Sequence, residues 1–364
     1  MRQFMEKYKD MKIRKKGKIK TIRNLIFFIT LIIFTFWFIF KDQDLNELVH
    51  TIQKVNLFYV FLGALFMFGV YAMESINIRA ILMDLGEKKF SIIRALKYTS
   101  IGAFFSAITP AATGGQPVEI YYMSKDGIKA ANGTMAMLVQ LCGFQISTLS
   151  LSIICGILYP SLLKDGIIWF YLLGLVINGF ALAIMLLGIF SNKIATKLLN
   201  LVIKMMKLAK TRNVEIKAKK MKEGLKQYSK SAKFIKTHKL SFAKGILRVF
   251  IQIIIFHSIP YFIYTAFGLN ELNFLQLFSM QAVLYTTVSG IPLPGSIGVS
   301  ETLFLKLYGT AFGKKLLSGA MLLYRFASFY LYLIIFAVVV IINAITAKNI
   351  ESEIDIEIDE IDKD

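Results

Sequence analysis

Apolar residues fall in long blocks along this chain, separated by short polar stretches rich in lysine. Leu25 to Phe40, Phe58 to Met73, Met135 to Leu158, Ile167 to Phe190, Ile246 to Phe267 and Leu316 to Ile342 each approach or exceed the roughly 20 apolar residues a helix needs to cross a bilayer. Six spanning helices are expected. Two weaker apolar stretches, Ile101 to Ile108 and Phe274 to Val288, each lead into a break of prolines and glycines that ends on a glutamate. The first break runs from Pro110 through Gly114 and Gly115 to Glu119; the second runs through Pro292, Pro294, Gly295 and Gly298 to Glu301. Broken backbone in a membrane frees N–H and C=O groups that are costly against lipid, so such segments survive where they are buried in protein or line a cavity. A matched pair of them in the two halves of a chain points to a transporter's substrate site.

Charge orients the blocks. A basic leader (1–24) and a lysine-rich stretch (191–245) belong on the cytoplasmic face by the positive-inside rule. Both ends of the region from Met73 to Met135 then lie inside, so Ile101 to Ile108 dips in and returns. The expected organisation is a first transmembrane half, 25–190, with a re-entrant hairpin at 98–134, and a second half, 246–347, with a mirror hairpin at 272–313. Residues 191–245 link the halves, either as an amphipathic helix on the inner membrane surface or as a solvated helical linker. An acidic tail follows at 348–364. For the second break a rival stays open: a full crossing at Phe274 to Val288 would place Lys306, Lys314 and Lys315 inside, whereas the mirror hairpin places them outside. The fold class expected is an all-α polytopic membrane protein, an inverted repeat with about six full transmembrane helices and two re-entrant helical hairpins.

Composition agrees and excludes other classes. With 56% hydrophobic residues and a mean hydropathy of +0.59, the 364-residue chain is too apolar for a soluble domain. Cys142 and Cys155 are its only cysteines and fall in one apolar run, so no disulfide framework or zinc pattern is expected. His50, His238 and His257 are scattered, which favours ordinary polar roles over ligation. The net charge of +20 reads as anchoring at anionic headgroups rather than nucleic-acid binding.

The residues suited to recognition are few. Backbone N–H groups at Thr113 to Gly115 and Gly295 to Gly298, each opening a helix, suit an anion such as a phosphate. Neither break is a Walker loop or a dinucleotide fingerprint. Glu119 and Glu301 suit either a helix start or a place in a substrate path, since ionisable groups at depth tend to mark such paths. Arg325, well inside the last apolar block, needs a counter-charge, with Glu301 or a phosphate as candidates. Arg79 and Glu74 could play the equivalent part for Glu119. Gln140, Gln145 and Gln281 suit helix-to-helix hydrogen bonds.

The break motifs, Thr109-Pro110 with Gly114-Gly115-Gln116-Pro117-Val118-Glu119 and Pro292-x-Pro294-Gly295-x-x-Gly298-Val299-x-Glu301, resemble the paired signatures of the lysylphosphatidylglycerol synthase transmembrane region, a flippase-like family. The resemblance covers nearly the whole apolar chain. It implies a lipid translocase fold and the handling of phospholipids or polyprenyl-linked lipids, without the synthase domain. The function expected is movement of a lipid with an anionic headgroup by a cell-membrane protein, multi-pass with a cytoplasmic N-terminus. The site expected is Glu119, Glu301, Arg325, Arg79, Gly114, Gly115, Gly295, Gly298, Pro110 and Pro294. No catalytic residues, metal or cofactor are expected; the partners expected are membrane lipids, with a homodimer left open and no nucleic acid. An inverted-repeat carrier for a small solute or ion is the alternative, and a membrane-embedded lipid transferase a weaker one, for want of a nucleophile, His/Asp cluster or metal carboxylates.

Overall fold

The computed structural model describes residues 53–109, 112–208, 214–289, 298–344 and 346. The expected span at Leu25 to Phe40, the basic leader and the acidic tail lie outside the described residues. Among the described residues the protein is helical, with no strand. Five helices are long and apolar enough to cross a membrane.

Two long helices pair with each other, α1 (Leu57–Asp84) and α8 (Lys239–Ala266). The Asn56 side chain starts α1 by accepting the Phe58 N–H at 3.1 Å. The two helices lie antiparallel, with Gly63 against Ile259 and Ile263, Gly69 against Ile255, and Gly245 against Asn77 and Ile81. Small residues along the seam let the backbones approach, which is how apolar helices associate when lipid competes for the same contacts.

Two short helices follow α1. The Ser91 hydroxyl caps α2 (Ile92–Ala107) by accepting the Arg94 N–H at 3.2 Å. At its far end α2 gives way to the first break, and α3 (Gly115–Lys125) returns alongside it. Lys97 meets Asp126, Gly102 meets Glu119, and Gly115 meets Ser106, so the pair is an antiparallel hairpin. With 16 and 11 residues the arms extend about 24 and 16 Å, short of a hydrocarbon core about 30 Å thick. The arms begin and end several residues earlier than the expected 98–134, because the chain turns at Gly127, in the left-handed region at φ 87°, and α4 (Ala130–Leu158) already starts there.

After α8 comes α9 (Phe274–Ser289), again of 16 residues, then the second break and α10 (Val299–Arg325). α10 is not one rod. Gly313 takes a left-handed φ of 65°, and Glu301 and Arg325, which would be about 36 Å apart along a straight helix, are in contact. Its first arm returns along α9, where the Tyr308 hydroxyl reaches the Leu277 carbonyl and Gln281 at 3.4 Å. Phe312, at the end of that arm, packs against Tyr264 and Phe267 at the end of α8. The chain therefore comes back to the end of the bundle from which α9 departs. Lys306 lies at that same end, donating to the Asp165 carbonyl at 2.5 Å in the turn between α4 and α5 (Ile167–Phe190). Beyond Gly313 the chain runs on through a π turn, Phe326–Tyr330, to Ala344.

The lysine-rich linker forms two helices, α6 (Asn192–Leu208) and α7 (Val214–Thr237). α7 docks on the bundle: Ala232 is fully buried in the cluster that contains Met135 and Val139 of α4, with Leu225 packed against it. α6 keeps Leu201, Val202, Met205 and Leu208 exposed.

Candidate substrate site between the two breaks

The tips of the two hairpins meet through the last helix. Ile108, at the end of α2, is buried against Phe329 and Leu333. The guanidinium of Arg325 lies over the Phe329 ring, 4.6 Å from its centroid. Both breaks thus converge on one turn of helix, and that turn is the π segment, a feature frequent at functional sites.

At the second tip the sequence builds a closed polar knot. Gly298, at φ 90°, lets the chain enter α10 sharply, and the Glu301 side chain folds back to accept the Gly298 N–H at 2.7 Å. The Ser300 hydroxyl donates to the same oxygen at 2.9 Å, and Arg325 Nε donates to Oε1 at 2.6 Å. Glu301 is 1% exposed and Arg325 9%. A backbone N–H, a hydroxyl and a guanidinium therefore surround one buried carboxylate, and charge-assisted bonds of this kind are the strong ones. At this helix start the protein's own carboxylate takes the Gly298 N–H. Pro294 and Gly295, expected here too, lie outside the described residues.

The first tip is built differently. The Thr109 hydroxyl donates to the Phe105 carbonyl at 2.6 Å and accepts the Gly114 N–H at 2.9 Å, so the break is stapled from within. Gly114 and Gly115 do not open the backbone to a ligand as expected. A Cβ on Gly115 would collide with the Ser106 hydroxyl and the Gly102 carbonyl, and one on Gly114 with Thr109. These glycines allow the two arms to pack. Pro110 lies outside the described residues.

Glu119 sits four residues into α3, 4% exposed, with Oε2 lacking any hydrogen-bond partner. Its Oε1 presses on the Cα of Gly102, where no side chain could fit. The expected pairing with Arg79 is not what the fold has. Arg79 donates through Nε to the Phe90 carbonyl at 2.6 Å, bracing the turn after α1, because its position near the end of α1 faces that turn and not the hairpin. The group that faces Glu119 is Glu74, a second carboxylate.

Sequence reasoning missed the network behind Glu74. Gln252 Nε2 donates to Glu74 at 3.3 Å, Gln140 Nε2 to Gln252 at 2.9 Å, and Asn77 Nδ2 to Gln140 at 2.6 Å, a chain across α8, α4 and α1. Gln252 and Asn77 carried no signal beyond being amides inside apolar runs. Arg248, which sequence reasoning did not single out, lies within α8 with Nη1 buried and without a described hydrogen-bond partner. His257 is fully buried among the rings of Phe256, Phe278 and Tyr285. Gln281 takes a hydrogen-bonding role, donating to the Tyr324 hydroxyl at 2.6 Å.

At the open end of the first hairpin, Lys97 and Tyr98 both donate to Asp126, at 2.7 and 2.6 Å. Burial acts to raise the Asp126 carboxyl, yet those hydrogen bonds and the lysine charge outweigh it and hold the group below the ordinary carboxylate range. A recess of about 410 Å³ between the start of α1 and the end of α8 is lined by Lys54, Asn56, Tyr59 and Asn270. Tyr59 is about 22 Å along α1 from Glu74, so this recess is remote from the carboxylates. Among the described residues no group of histidine, cysteine and carboxylate side chains is arranged to hold a metal.

Long apolar helices, wide exposed apolar faces and a few buried charges define a multi-pass membrane protein. The chain belongs to the lysylphosphatidylglycerol synthase TM region family, whose model matches residues 25–335. No curated protein matches it.

Proposed function

We propose that this protein is a lipid translocase of the cell (inner) membrane, a carrier and not an enzyme, with its N-terminus in the cytoplasm. The two hairpins enter the bilayer from opposite faces as halves of an inverted repeat, a reading supported by the antiparallel pairing of α1 with α8 and the matched short arms. One observation carries the functional reading: Glu301 fills a cradle of three donors, the Gly298 N–H, the Ser300 hydroxyl and the Arg325 guanidinium. A phosphate oxygen has the same needs as that carboxylate, and arginine suits both. When a lipid phosphate enters, it displaces Glu301 from Arg325 while the acyl chains remain in the bilayer. The exchange loosens the two arms of α10, and a ligand that binds the loosened state better shifts the protein toward it.

The test is flux of a labelled anionic phospholipid in liposomes containing wild type, Glu301→Gln or Arg325→Ala. Arg325→Ala is expected to lower flux at least tenfold, and Glu301→Gln to weaken the empty state and change flux severalfold. Flux equal to wild type in both variants would overturn the reading.

A further inference from the structure

Glu119 is buried as deeply as its counterpart but has nothing to hold a negative charge. Its Oε2 has no donor, its Oε1 rests on the bare Cα of Gly102, and neither described salt bridge includes it. An ionised carboxylate isolated in an apolar interior is so costly that such groups neutralise instead. Among the described residues no positive charge acts on Glu119. From α1, Glu74 faces it. On α2, Lys97 and Tyr98 are committed to Asp126 at the opposite end of the hairpin. α4 meets α3 through Gly133 against Ile120 and Met123, with no ionisable group at that contact. The residue that α8 sends toward Glu74 is Gln252, which is neutral.

A metal cation does not fit this niche. Hard cations need about six oxygen ligands, and among the described residues no group of three or more carboxylate, histidine or cysteine side chains gathers here. A proton needs only the carboxyl itself.

We infer that Glu119 is a proton-binding site, loaded while α3 is packed on α2 and exchanged with water when the hairpin moves during transport. The site stands on its own geometry; what the proton drives rests on the translocase reading. Protonation converts the carboxylate to a neutral acid, RCOO⁻ plus H⁺ giving RCOOH, and removes the repulsion from Glu74, so the loaded hairpin closes and the unloaded one opens.

The experiment has two arms on the full-length protein. Infrared difference spectra in lipid nanodiscs, between neutral and alkaline buffer, should show the C=O stretch of a neutral carboxylic acid in wild type and in Asp126→Asn but not in Glu119→Gln. In vesicles of phosphatidylethanolamine and phosphatidylglycerol, a gradient of one pH unit should bias labelled phosphatidylglycerol by up to about tenfold in wild type, for one proton, and not at all in Glu119→Gln. An acid band that survives in Glu119→Gln, or one that responds to sodium in place of pH, overturns the proton site. A wild-type flux indifferent to the gradient overturns the coupling. Absent wild-type flux with the band intact removes the translocase reading and leaves the proton site standing.

Discussion

The two hairpin tips carry a glutamate at nearly the same offset from their glycines, yet the fold treats the pair in opposite ways. Glu301 is locked by a guanidinium, a hydroxyl and a backbone N–H, whereas among the described charges Glu119 has only Glu74 facing it, with a bare Cα behind it. Burial is nearly equal, at 1% and 4% exposure, so depth does not explain the difference. What differs is the supply of counter-charge. The last helix brings Arg325 to one tip, and no described element brings a cation to the other. Two similar breaks thus carry two chemistries, a carboxylate held by three donors at one tip and a carboxyl without a described donor at the other.

Breaking the paired side should have the largest effect. Glu301→Ala strands the Arg325 charge and is expected to lower stability by about 3–5 kcal/mol, whereas Glu119→Gln strands nothing and should cost at most about 1 kcal/mol. Thermal unfolding of both variants in detergent measures the contrast, and equal losses would erase it. Next in size is Gly102→Ala, which forces a methyl into the space of the Glu119 carboxyl and should cost about 1–3 kcal/mol. In a Glu119→Ala background that loss should shrink, and a double-mutant cycle reads the coupling directly. Gln140→Ala, which cuts the amide chain leading to Glu74, should cost about 1 kcal/mol, as interhelical hydrogen bonds in membranes do.

The smallest effect belongs to the base of the first hairpin. The folded state holds the Asp126 carboxyl below its unfolded value near 3.9, so its contribution is fully present above that pH and fades as pH falls through the folded value. Being partly exposed, the pair is worth about 0–1 kcal/mol. The stability difference between wild type and Asp126→Asn should be constant at neutral pH and vanish only below about pH 4.

Much of this architecture could be read from the chain because lipid imposes a simple rule. The apolar blocks at Phe58, Met135, Ile167, Ile246 and Leu316 mark the five described helices long and apolar enough to span, and the glycines and prolines mark both breaks. The partnership of Arg325 with a glutamate follows from the same rule, since a charge at that depth requires an opposite one. The Arg79 expectation failed because sequence distance from an apolar block says nothing about which way a side chain faces, and a turn carbonyl at Phe90 claimed it. Gly114 and Gly115 were misread because a glycine that admits a ligand and one that admits a neighbouring helix look identical in one dimension. The amide chain through Gln252 was invisible for a related reason: its members lie on three separate helices.

The π turn at Phe326–Tyr330 sets the clock angle of everything after it. It adds one residue to a helical turn, so it offsets the outer part of the last helix by about 100° relative to an uninterrupted α-helix. Arg325 before it points at Glu301, and Tyr332 after it donates to the Ala64 carbonyl at 2.5 Å on α1. Rewinding this turn as regular α-helix with no residue removed would swing Tyr332 off that carbonyl and unlatch the helix from α1, whereas deleting one residue between them would make the winding regular and keep both contacts.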